Sequence, residues 1–250
     1  MTDLRPGAAL VTGGARRIGR AIVLALAARG HDVAIHHRDS APDAEALAKE
    51  VRALGRRAAI LSADLTDEAE TRALIPAAAE ALGPISILVN NASVFEDDRV
   101  GGLSRQTWDL HLETNLRAPV VLAEAFAAQA PDGSAIVNLL DQRVLKPDPR
   151  FFSYALSRNA LWWATRTLAQ ALAPRIRVNG VGPGPTLPSI HQTDADFAAE
   201  ADGTLLQRPG SPEAVAAAVL WLVDAELTTG QMIAVDGGQH LAWRTPDILE

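Results

Sequence analysis

The fold is decided near the start of the chain, where residues 8 to 19 read AALVTGGARRIG. A short apolar run typical of a buried strand leads into a glycine-rich turn, and the helical pattern RAIVLALAARG follows at residues 20 to 30. Gly13, Gly14 and Gly19 lie where such a turn needs a positive φ angle, a close approach to a pyrophosphate and tight helix packing. The free N–H groups at the helix start favour an anion, so we predict a dinucleotide-binding turn rather than a plain strand-to-helix turn. Candidate cofactor contacts in this turn are Gly13, Arg16, Arg17, Ile18 and Gly19.

The end of the second predicted strand indicates which dinucleotide is bound. The stretch DVAIHHRDS, residues 32 to 40, places His37 and Arg38 at the strand end, and Arg17 lies in the nearby turn. Arginine forms a two-pronged contact with a 2′-phosphate, whereas a free 2′-hydroxyl usually meets an acidic residue. We therefore predict NADPH. Two alternatives stay open: Asp39 would favour NADH if it turned inward, and both arginines could be solvated surface charges.

Strand and helix patterns alternate along the chain. Seven short apolar or β-branched runs are separated by alanine-rich helical patterns, and they are AALVT (8–12), DVAIH (32–36), RAAIL (57–61), ISILVN (85–90), SAIVNLL (134–140), RVNGV (177–181) and QMIAV (231–235). This alternation predicts an α/β fold with a parallel sheet covered by helices on both faces, in one domain spanning residues 1–250. Residues 181–211 are dense in Pro, Gly and Asp, and we interpret them as a flap over a site rather than a tolerated surface loop.

The composition of the chain indicates which kinds of partner it can bind. A formal charge of −7 argues against a broad nucleic-acid surface, and no apolar stretch approaches the length of a membrane span. The start of the chain lacks the pattern of a signal peptide, so we expect a soluble, cytoplasmic protein that binds a small molecule. The chain has no cysteine, and the adjacent His36 and His37 would face opposite ways on a strand, so we predict no metal site.

Further motifs follow the glycine-rich turn in order. They are ADL at 63–65, NNAS at 90–93, Asn115, Tyr154 with a basic residue four positions later, Pro183 with Gly184, and TGQMIAVDGG at 229–238. Together they resemble the short-chain dehydrogenase/reductase family over essentially the whole chain. The resemblance implies a doubly wound Rossmann-type sheet of seven parallel strands, usually in a homotetramer. It assigns catalytic roles to Asn115 and Tyr154. The cofactor contacts that it implies are Asp64, Leu65, Asn91, Ala92, Pro183 and Gly184.

Within this family, three features resemble the pteridine reductases and the related dihydromonapterin reductases. Asp141 occupies the position of the usual catalytic serine. Ser93 and Phe95 follow the NNA motif, and Phe95 matches a phenylalanine that stacks on the pterin. Arg17 matches a position that reaches both the cofactor phosphate and the substrate. The simpler alternatives are that Phe95 packs on its own neighbours and that Asp141 caps the next segment or pairs with Arg143.

The chain departs from the family pattern at one position, where Arg158 replaces the lysine expected four residues after Tyr154. The two residues share a helix face because they are four apart. In the family this lysine binds the nicotinamide ribose, lowers the pKa of the tyrosine and passes protons onward. An arginine can donate to ribose hydroxyls and supply a fixed charge, but it does not give up a proton. Two of the three roles therefore survive the replacement.

The sequence thus predicts an NADPH-dependent reductase of a dihydropterin or a related N-heterocycle. Hydride would reach the carbon of a ring C=N bond, and Tyr154 with Asp141 would supply the proton to nitrogen. Two alternatives stay open. One is a reductase of carbonyl substrates such as 3-oxoacyl thioesters, and the other is a non-catalytic NADPH-binding protein, suggested by Arg158.

Overall fold

Seven parallel strands form the centre of the computed structural model, which describes residues 7–243. In chain order the strands are β1 (Ala8–Val11), β2 (Asp32–His37), β3 (Ala58–Ser62), β4 (Ile85–Asn90), β5 (Ser134–Leu139), β6 (Ile176–Pro183) and β7 (Met232–Val235). They lie in the spatial order β3-β2-β1-β4-β5-β6-β7. Each predicted run coincides with one of these strands to within two residues at either end. The structure therefore confirms the predicted α/β fold.

Helices cover both faces of the sheet. They are α1 (Arg17–Ala28), α2 (Ala41–Ala53), α3 (Glu68–Leu82), α4 (Arg105–Leu112), α5 (Ala118–Gln129), α6 (Phe152–Leu172), α7 (Asp194–Asp202) and α8 (Pro212–Asp224). Alternate side chains of a strand point to opposite faces, and β1 shows the consequence. Its Ala9 and Val11 pack with α1, α2 and α8, whereas Ala8 and Leu10 pack with α3, α5 and α6. The sheet is buried on both sides, which explains why its central strands are continuous apolar runs.

The strand order places a crevice at the carboxyl ends of β1 and β4. The chain runs outward from β1 to β2 and β3, then crosses back to form β4 on the other side of β1. Ligands of open α/β sheets bind outside the strand ends at such a reversal. The glycine-rich turn, the NNAS motif and Asp141 all follow carboxyl ends of strands, so the topology gathers the predicted site residues at one edge.

The predicted flap is more ordered than its composition suggests. Residues 181 to 183 are the end of β6, and α7 lies within the segment, so residues 181–211 contain regular structure that their composition did not indicate. The hydroxyl of Thr193 accepts from the backbone N–H of Asp196, whose carboxylate accepts from the N–H of Thr193, and this reciprocal pair caps α7.

No helix in the described part of the chain combines the length and apolar character needed to cross a bilayer.

Candidate active site

The glycine-rich turn is held in shape by side chains from the neighbouring strand end. Gly13 has a φ of +57°, a region that L-residues with side chains seldom adopt. A Cβ on Gly19 would lie 2.2 Å from the carbonyl oxygen of Gly13, so no larger residue fits there without a shift of the backbone. The Asn91 amide donates to the carbonyls of Thr12 and Gly13 at 2.9 and 3.0 Å. Asn91, predicted as a cofactor contact, therefore also braces the turn.

A residue that sequence reasoning missed supports the same turn from behind. The side chain of His36 is buried, and its Nδ1 accepts from the Gly13 N–H at 3.1 Å. Since Nδ1 accepts, the ring proton of the neutral imidazole lies on Nε2, which is 3.1 Å from the Ala63 carbonyl and donates to it. Burial lowers the pKa of His36 to about 4, so the ring is neutral near pH 7. The sequence feature that could have indicated this supporting role is a histidine within the largely apolar strand beside the turn.

A first cleft of about 520 Å³ opens beside the turn. It is lined by most of the predicted cofactor contacts: Gly13, Arg16, Arg17, Ile18, Gly19, His37, Arg38, Asp64, Leu65, Asn91 and Ala92. At its rim the Arg38 guanidinium pairs with the carboxylate of Asp39 at 2.6 Å, and both side chains are exposed. Asp39 also lines this cleft, so the residue that could favour NADH lies beside the arginine that favours NADPH.

A second cleft of about 1000 Å³ adjoins the first. Four residues line both clefts, and they are Arg17, Ile18, Asn91 and Ser93. The second cleft gathers the remaining predicted residues apart from Asn115: Phe95, Asp141, Tyr154, Arg158, Pro183 and Gly184. Pro183 and Gly184, predicted as cofactor contacts, thus line the same cleft as Asp141 and Tyr154.

Tyr154 and Asp141 form the centre of the second cleft. The Tyr154 hydroxyl donates to Oδ2 of Asp141 at 2.8 Å. The same carboxylate accepts from the backbone N–H of Arg143 at 2.8 Å and from its guanidinium at 3.3 Å. Asp141 therefore caps the following turn and pairs with Arg143, as the simpler alternative proposed, while it also holds the tyrosine.

The phenol is kept in its neutral form. Burial raises the pKa of Tyr154 well above its ordinary value, and the charge of Asp141 adds to the rise. The positive charge of Arg158 opposes this rise in the pKa of Tyr154. The guanidinium carbon lies 5.3 Å from the centroid of the Tyr154 ring. The sequence argument that a nearby positive charge favours the phenolate is thus outweighed, and Tyr154 is arranged to act as a proton donor.

Arg158 is buried beneath this pair. Its side chain is 2% exposed, and one guanidinium nitrogen donates to the Leu139 carbonyl at 3.0 Å. Its Nε has no hydrogen-bond partner among the described residues. A buried donor left without an acceptor is costly, so this atom marks a place where a ligand hydroxyl would bind favourably.

Phe95 forms an aromatic wall of the second cleft. Its ring stacks on Phe151, with centroids 4.1 Å apart, and meets Tyr154 edge-on at 4.7 Å. It therefore packs on its neighbours, and the same residue still lines the cleft beside Tyr154.

Asn115 lines neither cleft. Its side chain accepts from the Val94 N–H at 2.9 Å and donates to the Val94 carbonyl at 3.0 Å and to the Ser157 hydroxyl at 3.1 Å. The residue lies in a π-helical turn, Glu113–Arg117, between α4 and α5. The Asn115 side chain thus fixes the backbone of Val94, the residue before Phe95. The predicted catalytic role of Asn115 stays a prediction.

Arg17 joins the two clefts to the flap. It has a φ of +52°, and its guanidinium donates to the Pro188 carbonyl at 3.0 Å and to that of Leu187 at 3.4 Å. His191 Nε2 lies 3.0 Å from the Phe95 carbonyl. The flap is thus tied to both a predicted cofactor residue and the aromatic wall, a contact that the sequence did not indicate.

Within residues 7–243, no group of three or more histidine, aspartate or glutamate side chains is arranged to hold a metal ion.

Comparison with known proteins shows the family to which this chain belongs. A family model described as enoyl-(acyl carrier protein) reductase matches residues 13–240. The short-chain dehydrogenase/reductase FrzI of Cladobotryum sp is 33% identical, over 92% of this chain and 95% of FrzI. The 3-oxoacyl-(acyl-carrier-protein) reductase FabG of Staphylococcus aureus strain Mu50 is 32% identical, over 93% of this chain and 98% of FabG. The chain belongs to the short-chain dehydrogenase/reductase family of oxidoreductases.

A solved structure gives a more specific likeness. The FolM alternative dihydrofolate reductase 1 from Brucella canis, complexed with NADP, is 49% identical to this chain. The two superpose with a TM-score of 0.94, and the match covers 98% of each chain. The predicted resemblance to the short-chain dehydrogenases and to pteridine-type reductases is confirmed.

Proposed function

We propose that this protein reduces a dihydropterin, or a related bicyclic N-heterocycle, with NADPH. The observation that carries the proposal is the Phe95 ring, which lies 4.7 Å from the Tyr154 ring while the Tyr154 hydroxyl contacts Asp141. A flat apolar surface beside a neutral proton donor suits a flat heterocycle with a basic ring nitrogen. The 49% identity to the FolM reductase supports this substrate class.

The residues of both clefts fit a nicotinamide dinucleotide. A Cβ at Gly19 would meet the Gly13 carbonyl, so glycine is needed there for the compact turn on which a pyrophosphate would bind. Arg17 and Arg38 would bind the 2′-phosphate of NADPH, and the unpaired Nε of Arg158 would donate to a hydroxyl of the nicotinamide ribose. When bound, NADPH supplies the hydride that reduces the carbon of the ring C=N bond.

The proton in this proposal comes from Tyr154. As hydride adds to carbon, the ring nitrogen gains an electron pair and becomes strongly basic, so even a phenol with a raised pKa can protonate it. The O–H bond breaks, the proton passes to nitrogen, and the fixed charge of Arg158 stabilises the phenolate. Water then returns a proton to Tyr154 through Asp141, because Arg158 does not release one.

A second candidate is reduction of a 3-oxoacyl thioester. The 32% identity to FabG favours it, and the second cleft, at about 1000 Å³, is roomy enough for an extended acyl chain. A third candidate, NADPH binding without turnover, is supported only by the replacement of the family lysine by Arg158.

The decisive experiment measures NADPH oxidation with dihydromonapterin, dihydrobiopterin and an acetoacetyl thioester. Wild-type protein and the Tyr154→Phe variant are assayed in parallel, and NADPH binding is titrated for both. Tyrosine-dependent turnover of the pterins above that of the thioester supports the proposal. Preferential thioester turnover selects the second candidate, and tight NADPH binding without any turnover selects the third.

The homotetramer and the cytoplasmic location implied by the sequence remain predictions.

A further inference from the structure

Three buried polar side chains meet behind the aromatic wall, outside the residues that the proposed reaction uses. They are Asp98, His111 and Ser153, which are 6%, 0% and 0% exposed. His111 Nδ1 lies 2.7 Å from the Ser153 hydroxyl, and that hydroxyl donates to Oδ2 of Asp98 in a short hydrogen bond. We call this group the Asp98–Ser153–His111 network.

The direction of every hydrogen bond in the network is determined. His111 Nε2 accepts from the backbone N–H of Glu96 at 3.0 Å, so the neutral ring carries its proton on Nδ1. Nδ1 therefore donates to Ser153, and Ser153 donates to Asp98. Burial lowers the pKa of His111, which keeps the ring neutral as this arrangement requires. The serine is a donor to a carboxylate and is fully buried, so it is not arranged as a nucleophile.

The network lies between the segment that carries Phe95 and the helix that carries Tyr154. We define residues 93–98 as the substrate loop. Its even-numbered residues are anchored: Val94 by Asn115, Glu96 by His111, and Asp98 by Ser153. Its odd-numbered residues, Ser93, Phe95 and Asp97, all line the second cleft. This alternation means that the anchors on one side of the loop set where the cleft-lining side chains point.

The same carboxylate completes the start of α6. Phe151 precedes the helix with a φ of +53° and makes no capping bond with its side chain. Instead, Oδ1 of Asp98 accepts from the Ser153 N–H at 3.0 Å, and the Asp98 carbonyl accepts from the Phe152 N–H at 3.1 Å. Asp98 is thus a helix cap supplied from 55 residues away.

We propose that the Asp98–Ser153–His111 network is a positioning device that fixes Phe95 of the substrate loop against Tyr154 at the start of α6. The ring of the substrate would then be held at one distance from the proton donor. None of the three residues touches the reacting atoms, and each acts through the loop or the helix.

The test uses the full chain, three single variants and the Ser153→Ala/Phe95→Ala double variant. Ser153→Ala removes the central hydroxyl and leaves a buried N–H of His111 and an oxygen of Asp98 unpaired, while Phe95→Ala removes the aromatic wall. Thr165→Val is the matched control, because Thr165 also lies buried on α6, accepts from Asn138 and lines neither cleft. For each we would measure the KM for dihydrobiopterin, the Kd for NADPH and amide hydrogen exchange.

Ser153→Ala is expected to raise the KM roughly tenfold, to leave the Kd for NADPH unchanged, and to speed exchange of the Glu96 amide at least roughly tenfold. The KM effect should nearly vanish when Phe95 is already alanine, because the network acts through that side chain. Thr165→Val should lower the melting temperature without raising the KM or speeding exchange of the Glu96 amide. If Ser153→Ala behaves like Thr165→Val, the network is only structural and the inference is overturned.

The kinetic part rests on the proposed function, whereas the exchange part does not. Absence of pterin turnover in wild type would count against the proposed function alone. Faster exchange at Glu96 in Ser153→Ala would then still support the inference, and unchanged exchange would overturn it.

Discussion

Tyr154 and Asp141 are joined by a hydrogen bond of 2.8 Å between the phenol and Oδ2 of the carboxylate. Asp141 follows the carboxyl end of β5, and Tyr154 lies in the first turn of α6, so the bond ties the sheet to the helix at the site. The carboxylate replaces the family serine without leaving the phenol unpaired. Burial and this negative charge together raise the pKa of Tyr154 and keep its proton in place.

Tyr154→Phe removes the proposed proton donor while keeping the ring that packs against Phe95. We expect turnover to fall by about 10²- to 10⁴-fold, the range typical of general acid catalysis. The Kd for NADPH, measured by fluorescence titration, should stay within about twofold of the wild-type value. Turnover within tenfold of wild type would mean that another group donates the proton.

Substitutions of Arg158 test how much of the family's chemistry needs a lysine at this position. Arg158→Lys keeps the charge beneath Tyr154, so we expect turnover within roughly tenfold of wild type. Arg158→Leu loses the charge and the proposed donor to the nicotinamide ribose, and both the Kd for NADPH and the turnover should worsen at least about tenfold. A gain of more than about 100-fold in Arg158→Lys would show instead that arginine disables the site.

Phe95→Ala should separate pterin from carbonyl substrates. We expect turnover of a dihydropterin to fall at least about tenfold because the ring loses its aromatic wall. Turnover of a small ketone, which makes little use of such a surface, should change by less than about threefold. Equal losses for both substrates would contradict a specific role in holding a heterocycle.

Gly19→Ala should abolish measurable NADPH binding. The new methyl would lie 2.2 Å from the Gly13 carbonyl, so the turn would have to shift. Gly102→Ala is the control, because its Cβ would meet nothing closer than 3.9 Å and its φ is not positive. Isothermal titration with NADPH checks both variants. Wild-type affinity in Gly19→Ala would place the pyrophosphate elsewhere.

His36 makes stability depend on pH. Its folded pKa of about 4 lies below the ordinary value of 6.5, so its stabilising contribution is complete above about pH 6.5. The contribution is lost as pH falls toward 4, by an amount on the order of 3 kcal/mol at full protonation. Asp64 opposes this shift in pKa and His37 adds to it. Because burial also lowers the pKa of His111, urea unfolding between about pH 7 and 4 should show a clearly steeper slope in wild type and in His31→Gln than in His36→Gln. A slope in His36→Gln as steep as that of wild type would assign the pH dependence to other groups.

The sequence predicted the sheet and the glycine-rich turn well, because both depend on local patterns. A strand-to-helix turn with Gly13 and Gly19 can be recognised from twelve consecutive residues, and each strand is a short apolar run. The pairing of Tyr154 with Asp141 was implied by the resemblance to the pteridine reductases. In each case the information lies within one segment of the chain.

The missed features depend on contacts between distant segments. His36 was interpreted only as the neighbour of His37, because its bond to Gly13 exists only when β1 and β2 pair. Helix α7 was missed because DADFAAEAD is short and only weakly amphipathic, and its cap uses aspartate where glutamate is usual. The link between Asp98 and Ser153 spans 55 residues, and no periodicity indicates it.

The π-helical turn that contains Asn115 makes the site sensitive to a one-residue deletion. Such a turn contains one residue more than an α-helical turn at the same place. Removing any one residue from Glu113–Arg117 would let α4 and α5 merge into one regular helix, which is ordinarily a conservative change. The two flanking helices would keep their relative orientation, but the side chains within the turn would be redirected, and Asn115 would release Val94. In an alignment, a one-residue gap here would therefore mark a relative with a differently built pocket, even where every motif is intact.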